Sequence, residues 1–150
     1  EENRVMSTDV SPFPGPFSFD RTPYLREVLD CMSASHPAHT VATKKGAQIG
    51  FSTGVIENAI GWIIAENPSN ILFLTGHTDL AEEAMSGKID QMIDSTGLRQ
   101  FIRPNVLRKK NQRTGDTSKS KEFPGGSLVA GSAGNHNVQR LMLTKGKFII

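Results

Sequence analysis

Lys45-Gly46-Ala47-Gln48-Ile49-Gly50-Phe51-Ser52-Thr53 is the stretch on which the reading of this chain turns. It lies between Thr40-Val41-Ala42-Thr43, whose residues favour a strand, and a segment from Ser52 to Ala65 with helical spacing. A small, glycine-bearing turn between strand and helix is the setting of a P-loop: backbone N–H groups converge on a phosphate, and the helix N-terminus adds partial positive charge. The regular pattern is G-x-x-x-x-G-K-[ST]. Gly50 and Ser52 keep the second glycine and the Mg²⁺-binding hydroxyl in register, whereas Lys45 stands at the first glycine and Phe51 at the usual lysine. Either the loop is broken, or the ammonium of Lys45 reaches the phosphates from the opposite end. Gly46, Ala47 and Gly50 are small enough for close backbone approach. In this reading Lys45 neutralises β/γ-phosphate charge, Ser52 (or Thr53) ligates Mg²⁺, and Gln48 contacts phosphate or senses the γ-position. The plainer readings are an ordinary βα turn, an exposed lysine, a helix N-cap and a solvated glutamine.

The flanks give the fold class. Val55, Ile56, Ala59, Ile60 and Ile63 recur at helical spacing, and Asn67-Pro68-Ser69-Asn70 breaks the helix. Ile71-Leu72-Phe73-Leu74-Thr75 is a continuous apolar run, as in a buried parallel strand. Gly76-His77-Thr78 turns into a helix from Asp79 to about Asp94, with Thr78 or Asp79 as its cap. Strand, helix, strand and helix with short connections make a βαβ unit and a mainly parallel sheet, an α/β fold. A ligand loop at the carboxyl end of the second strand would fall at Thr75 to Asp79. Further along, Arg108 to Ser120 reads as a polar loop. Lys121-Glu122-Phe123 and Ser127 to Ala130 flank Pro124-Gly125-Gly126 as a hairpin, and Arg140 to Leu143 and Lys147 to Ile150 read as strands. Upstream, residues 1–20 are a Pro- and Gly-rich arm lying on a domain that spans 21–150. Thr22-Pro23 starts a helix from Tyr24 to about Met32.

The chain has 150 residues, 37% apolar and 21% charged, consistent with one soluble globular domain. No apolar run approaches the length of a membrane span. The lone Cys31 falls on an apolar helix position and reads as a structural thiol in a reducing compartment. His36, His39, His77 and His136 lack metal-ligand spacing, so no zinc site is read. The start, Glu1-Glu2-Asn3-Arg4, and the end, inside an apolar strand, give the expectation of an excised piece. The net charge of +2 hides an asymmetry: residues 1–98 hold 6 Lys/Arg against 13 Asp/Glu, residues 99–150 hold 11 against 2. Arg99, Arg103, Arg108, Lys109, Lys110, Arg113, Lys119 and Lys121 meet only Asp116 within their own stretch, which reads as a phosphate-backbone surface or as a solvated basic loop. Few aromatics interleave them, so stacking on single strands is not indicated.

Three strings together resemble the large terminase subunits of tailed phages, of the lambda type. They are Thr22-Pro23-Tyr24-Leu25-Arg26-Glu27, Lys45-Gly46-Ala47-Gln48-Ile49-Gly50 and Lys121-Glu122-Phe123-Pro124-Gly125-Gly126, in that order. The resemblance spans roughly residues 15–150 and implies an additional-strand ATPase of the P-loop NTPase type whose nuclease domain is absent from this chain. It implies that ATP, with Mg²⁺, drives double-stranded viral DNA into a procapsid. It further implies a small terminase subunit and a portal as partners, a homo-oligomer during packaging, and a host-cytoplasmic location. It places Lys45 as the displaced phosphate lysine and Tyr24 near the adenine, with Ile49, Phe51 and Thr53 completing the nucleotide stretch. Arg108, Lys109, Lys110, Arg113, Lys119 and Lys121 are the residues for DNA or intersubunit contact. The Walker B acids are expected after Ile150, so the catalytic residues are unknown within the chain, and weak nucleotide binding with essentially no turnover is expected of it. The competing readings are another P-loop enzyme, helicase-like or a small-molecule kinase, and a non-enzymatic DNA-binding module with a degenerate loop.

Overall fold

A computed structural model describes residues 4–33, 35–108, 112–138 and 148–150, with only the backbone for 107–108 and 112–114. The chain divides into two compact units, Glu1–Ile60 and Gly61–Ile150.

The first unit starts with a two-stranded antiparallel pair, β1 (Val5–Met6) on β2 (Gly15–Pro16), formed by the expected arm. Short 3₁₀ turns at Phe19–Arg21 and Pro23–Leu25 lead into helix α1 (Arg26–Cys31). The Ser18 hydroxyl caps the first turn by accepting from the Asp20 amide, 3.1 Å. Thr22, expected as a cap, makes no side-chain cap bond, and Pro23 alone marks that start. After the Lys45–Gly50 turn the chain enters a widened π-helical turn, Ser52–Ile56, continuous with helix α2 (Glu57–Glu66). Phe19, Leu25 and Val55 form the buried cluster of this unit, with Phe17, Val28, Leu29, Met32 and Phe51 against it. Thr40 to Thr43, expected as a strand, is not one: all four residues are exposed and outside any sheet. Its β-branched residues favour an extended backbone, but a strand exists only through cross-strand pairing, and no described segment pairs with it.

The second unit holds a four-stranded, mostly parallel sheet in the order β6-β7-β3-β8. Strand β3 (Ile71–Thr75) pairs in parallel with β7 (Gly126–Ser132), Ile71 opposite Leu128, and with β8 (Phe148–Ile149), Leu72 opposite Ile149. Ile71, Leu72 and Phe73 are buried, as a two-sided parallel strand requires. The edge strand β6 (Ser120–Phe123) is antiparallel to β7 through the expected hairpin. Gly125 sits at φ +87° behind Pro124, the geometry a type II turn demands. Helix α3 (Thr78–Ala84), a π-helical turn (Met85–Ile89) and helix α4 (Asp90–Ser95) form one continuous run, and α3 packs on β3 and β7. Neither Thr78 nor Asp79 caps α3; the capping position is His77, without a side-chain bond. Gly97 at φ +71° ends the run in the left-handed conformation common after helices. Part of the expected loop at Arg108 to Ser120 is instead a hairpin, β4 (Val106–Arg108) antiparallel to β5 (Gln112–Thr114), with Leu107 opposite Arg113. Strand β5 is wholly polar, and three residues a strand are too few for an apolar alternation that would announce either one. The expected strand Arg140 to Leu143 lies outside the described residues.

The base of that hairpin is fixed by charge. The ammonium of Lys121, 1% exposed, lies 2.9 Å from Asp90 and 2.7 Å from Asp116. The Arg99 guanidinium bridges Asp90 at 2.6 Å, Asp94 at 2.7 Å and Asp116 at 2.5 Å. Hydrogen bonding to Arg99 holds the Asp94 carboxyl below the usual carboxylate range, and Asp94 in turn raises the pKa of Arg99. Among the described residues, no helix is long and apolar enough to cross a membrane.

Two predictions follow from this packing. A Cβ at Gly126 would stand 2.4 Å from the Ser69 carbonyl oxygen, a backbone atom, whereas one at Gly76 would meet nothing within 4 Å. Gly126→Ala is expected to cost about 2–3 kcal/mol in denaturant unfolding, and Gly76→Ala far less. Because the folded pKa of Asp94 is depressed, its contribution is present above the unfolded carboxylate pKa and lost as pH falls through the lower folded value. The stability difference between wild type and Arg99→Ala should therefore be constant near neutrality and shrink below pH about 4. A difference that grew on acidification would contradict the pairing.

Candidate functional site

The Lys45–Thr53 turn is solvent-facing up to Gly50 apart from a half-buried Ile49, and it has left-handed backbone at two places, Gln48 (φ +55°) and Gly50 (φ +75°). Among the described residues, Gln48 is the single non-glycine residue with positive φ, a conformation that costs of order 1 kcal/mol and clusters at ligand-binding turns. Gly50 takes it without strain, and its carbonyl accepts from the Gly54 amide at 2.7 Å, closing the turn onto the helix.

Lys45 and Phe51, the two residues that depart from the regular pattern, lie together. The Lys45 ammonium stands 5.4 Å from the centroid of the Phe51 ring and 3.5 Å from the Gly46 carbonyl oxygen. Phe51 itself is half-buried against the Phe19–Leu25–Val55 cluster. The position that carries lysine in the regular pattern is thus spent on anchoring the helix start. The ammonium at the other end of the turn lies over that ring in cation–π geometry.

The two hydroxyls at the helix start are not equivalent. Thr53 Oγ1 donates to Glu57 Oε1 at 3.1 Å, and Glu57 is 2% exposed. Ser52 is exposed and does not serve as a side-chain cap, because the residue in the capping position is Phe51. Of the two hydroxyls, the one on exposed Ser52 is the more open to solvent. Tyr24, 56% exposed, donates its hydroxyl to the Ile49 carbonyl at 3.0 Å and so stands against the turn. Gly54 lets the helix approach Leu25: a Cβ there would be 2.6 Å from Leu25 Cδ1.

The basic stretch divides. Lys121 is buried between Asp90 and Asp116, which corrects its expected place on a nucleic-acid surface: its ammonium is neutralised and out of solvent. Arg99 is likewise committed to carboxylates. Lys119 is 63% exposed and 3.1 Å from Glu82, whose carboxyl it pulls below the usual range. Arg108 and Arg113 lie on the β4–β5 hairpin, and Lys109 and Lys110 lie outside the described residues.

Sequence reasoning missed Arg4 and Glu57. Arg4, 6% exposed, ion-pairs with Glu57 at the start of α2. The available signal was Glu57 itself, an acid in the apolar run Val55-Ile56-Glu57-Asn58-Ala59-Ile60, where burial calls for a cation.

The model of one family, phage terminase large subunit gpA, ATPase domain, matches residues 11–146. No curated protein and no solved structure gives a match. The matched residues contain Tyr24, the displaced-lysine turn and the Lys121–Gly126 hairpin, and the chain belongs to the ATPase domain family of phage terminase large subunits, the ATPase portion of the machinery that packages viral DNA.

Proposed function

We propose that the Lys45–Thr53 turn is the phosphate-binding loop of this ATPase, in a P-loop fold of the additional-strand type, and that it holds ATP with Mg²⁺. The observation that supports the reading is the Lys45 ammonium over the ring of Phe51, the residue that stands where the regular pattern has its lysine. Lys45 neutralises the β- and γ-phosphates. Gly46, Ala47 and Gly50 let the backbone close on them, and Gln48 reaches the γ-position. Ser52 ligates Mg²⁺, because the Thr53 hydroxyl is held by Glu57. Tyr24 flanks the adenine from its seat against Ile49. The donor set suits a hard cation bound mainly through phosphate and water, with one protein hydroxyl. In the packaging motor, nucleotide turnover then drives double-stranded DNA into a procapsid, with a small terminase subunit, a portal and further copies of the large subunit as partners, and an endonuclease acts in the same protein.

For DNA, the reading is narrower than the sequence allowed. Arg108 and Arg113 on the β4–β5 hairpin, with Lys109, Lys110 and Lys119, contact the phosphate backbone, and Lys121 holds the base of the hairpin.

Calorimetry with Mg-ATP tests the first reading: Lys45→Ala is expected to weaken binding at least 10-fold with the unfolding midpoint unchanged, and unchanged affinity would refute it. The second is tested by the salt dependence of duplex DNA binding. Arg108→Ala with Arg113→Ala should lower the slope of log K against log salt by about 2, since each phosphate contact contributes roughly 0.9. An unchanged slope would remove the hairpin from the interface.

A further inference from the structure

We propose that Arg4, upstream of the residues that match the family, is a positioning residue for the phosphate-binding turn: it holds the first helical turn in its widened form and so presents Ser52, not Thr53, to the metal. The inference rests on the reading of Lys45–Thr53 as an Mg-ATP site.

The Arg4 guanidinium is spread over three groups of that helix start. Nη1 donates to the Thr53 carbonyl at 2.7 Å and also to Asn58 Oδ1, and Nη2 donates to Glu57 Oε2. The other Glu57 oxygen, Oε1, accepts from the Thr53 hydroxyl. Asn58 Nδ2 donates to the Gly54 carbonyl at 3.0 Å. Arg4 is placed by the arm: the neighbouring Val5 pairs with Pro16, and the Phe17 amide donates to the Arg4 carbonyl at 2.9 Å. The guanidinium carbon lies 5.5 Å from the centroid of the Phe17 ring.

This arrangement coincides with the π-helical turn Ser52–Ile56, in which the Glu57 amide reaches back five residues to the Ser52 carbonyl. A side chain inserted into the carbonyl ladder is one of the recognised causes of such a departure from α geometry. The extra residue in the turn rotates the sequence relative to an α-helix. Ser52 is left at the solvent face, and Thr53 turns inward to Glu57. The guanidinium fork spreads its donors over two terminal nitrogens, which here serve a carbonyl, an amide oxygen and a carboxylate at separate points; an ammonium gathers its three donors on one nitrogen.

The experiment measures ATP binding with Mg²⁺ and with chelator, and amide hydrogen exchange of residues 50–58, for wild type, Arg4→Lys and the charge-neutral pair Arg4→Gln with Glu57→Gln. The paired variant leaves no uncompensated buried charge, so it keeps the test decisive if Arg4→Lys fails to fold. The expected result is faster exchange at the helix start and Mg-ATP binding weaker by about 10-fold, the scale of losing a group that orients a metal ligand. ATP affinity in chelator is expected to stay the same. Equal losses with and without Mg²⁺ would mean general loosening and overturn the inference, as would wild-type exchange at residues 50–58 in the variants. Failure of wild type to bind Mg-ATP would sink the underlying site reading, an outcome separate from a binding wild type that Arg4 leaves unaffected.

Discussion

The Lys121 ammonium is almost wholly withdrawn from water, and it is tolerated there because Asp90 and Asp116 meet it within hydrogen-bond distance. A buried cation without such partners is too costly for a domain of marginal stability. Much of the second unit is arranged to supply them. Asp90 opens α4, Asp116 follows the β4–β5 hairpin, and Lys121 lies on the edge strand, so one ammonium ties a helix, a hairpin base and a sheet edge together. Arg99 repeats the connection on the outer side. The first unit meets the same constraint with Arg4 and Glu57, which tie the N-terminal arm to the helix that follows the Lys45–Gly50 turn.

The string Lys121-Glu122-Phe123-Pro124-Gly125-Gly126 takes on a different meaning in this light. Its residues are set by structure: Lys121 by its carboxylates, Phe123 by burial, Gly125 by its positive φ, and Gly126 by the Ser69 carbonyl behind it. A motif can mark a family through the demands of its hairpin and touch no ligand.

Local and global information separate cleanly along this chain. Ile71 to Thr75 was legible as a buried parallel strand because apolarity on every residue is a property of the strand itself. The Pro124-Gly125 turn was legible because turn chemistry is local. Thr40 to Thr43 was misread because a strand also needs a neighbour, which its own residues do not encode. The β4–β5 hairpin was hidden by the shortness of its strands and the polarity of β5. The basic surface was over-counted because charges were weighed within residues 99–121, whereas Asp90, Asp94 and Glu82 reach in from α3 and α4. In the candidate site, Lys45, Phe51 and Ser52 stood out by their spacing against the regular pattern. The division of labour between Ser52 and Thr53 depends on Glu57, and through it on an arginine 53 residues away in sequence.

Tyr24 is the only tyrosine in the chain, and its hydroxyl donates to the Ile49 carbonyl in the Lys45–Thr53 turn. Phenol absorption shifts to longer wavelength when the hydroxyl donates a hydrogen bond and returns when the bond is exchanged for water. The near-ultraviolet spectrum therefore contains one tyrosine signal that reports on one loop. A change at the turn that breaks this bond is readable in the unmodified protein as a difference spectrum, over the absorption that Trp62 contributes to both states.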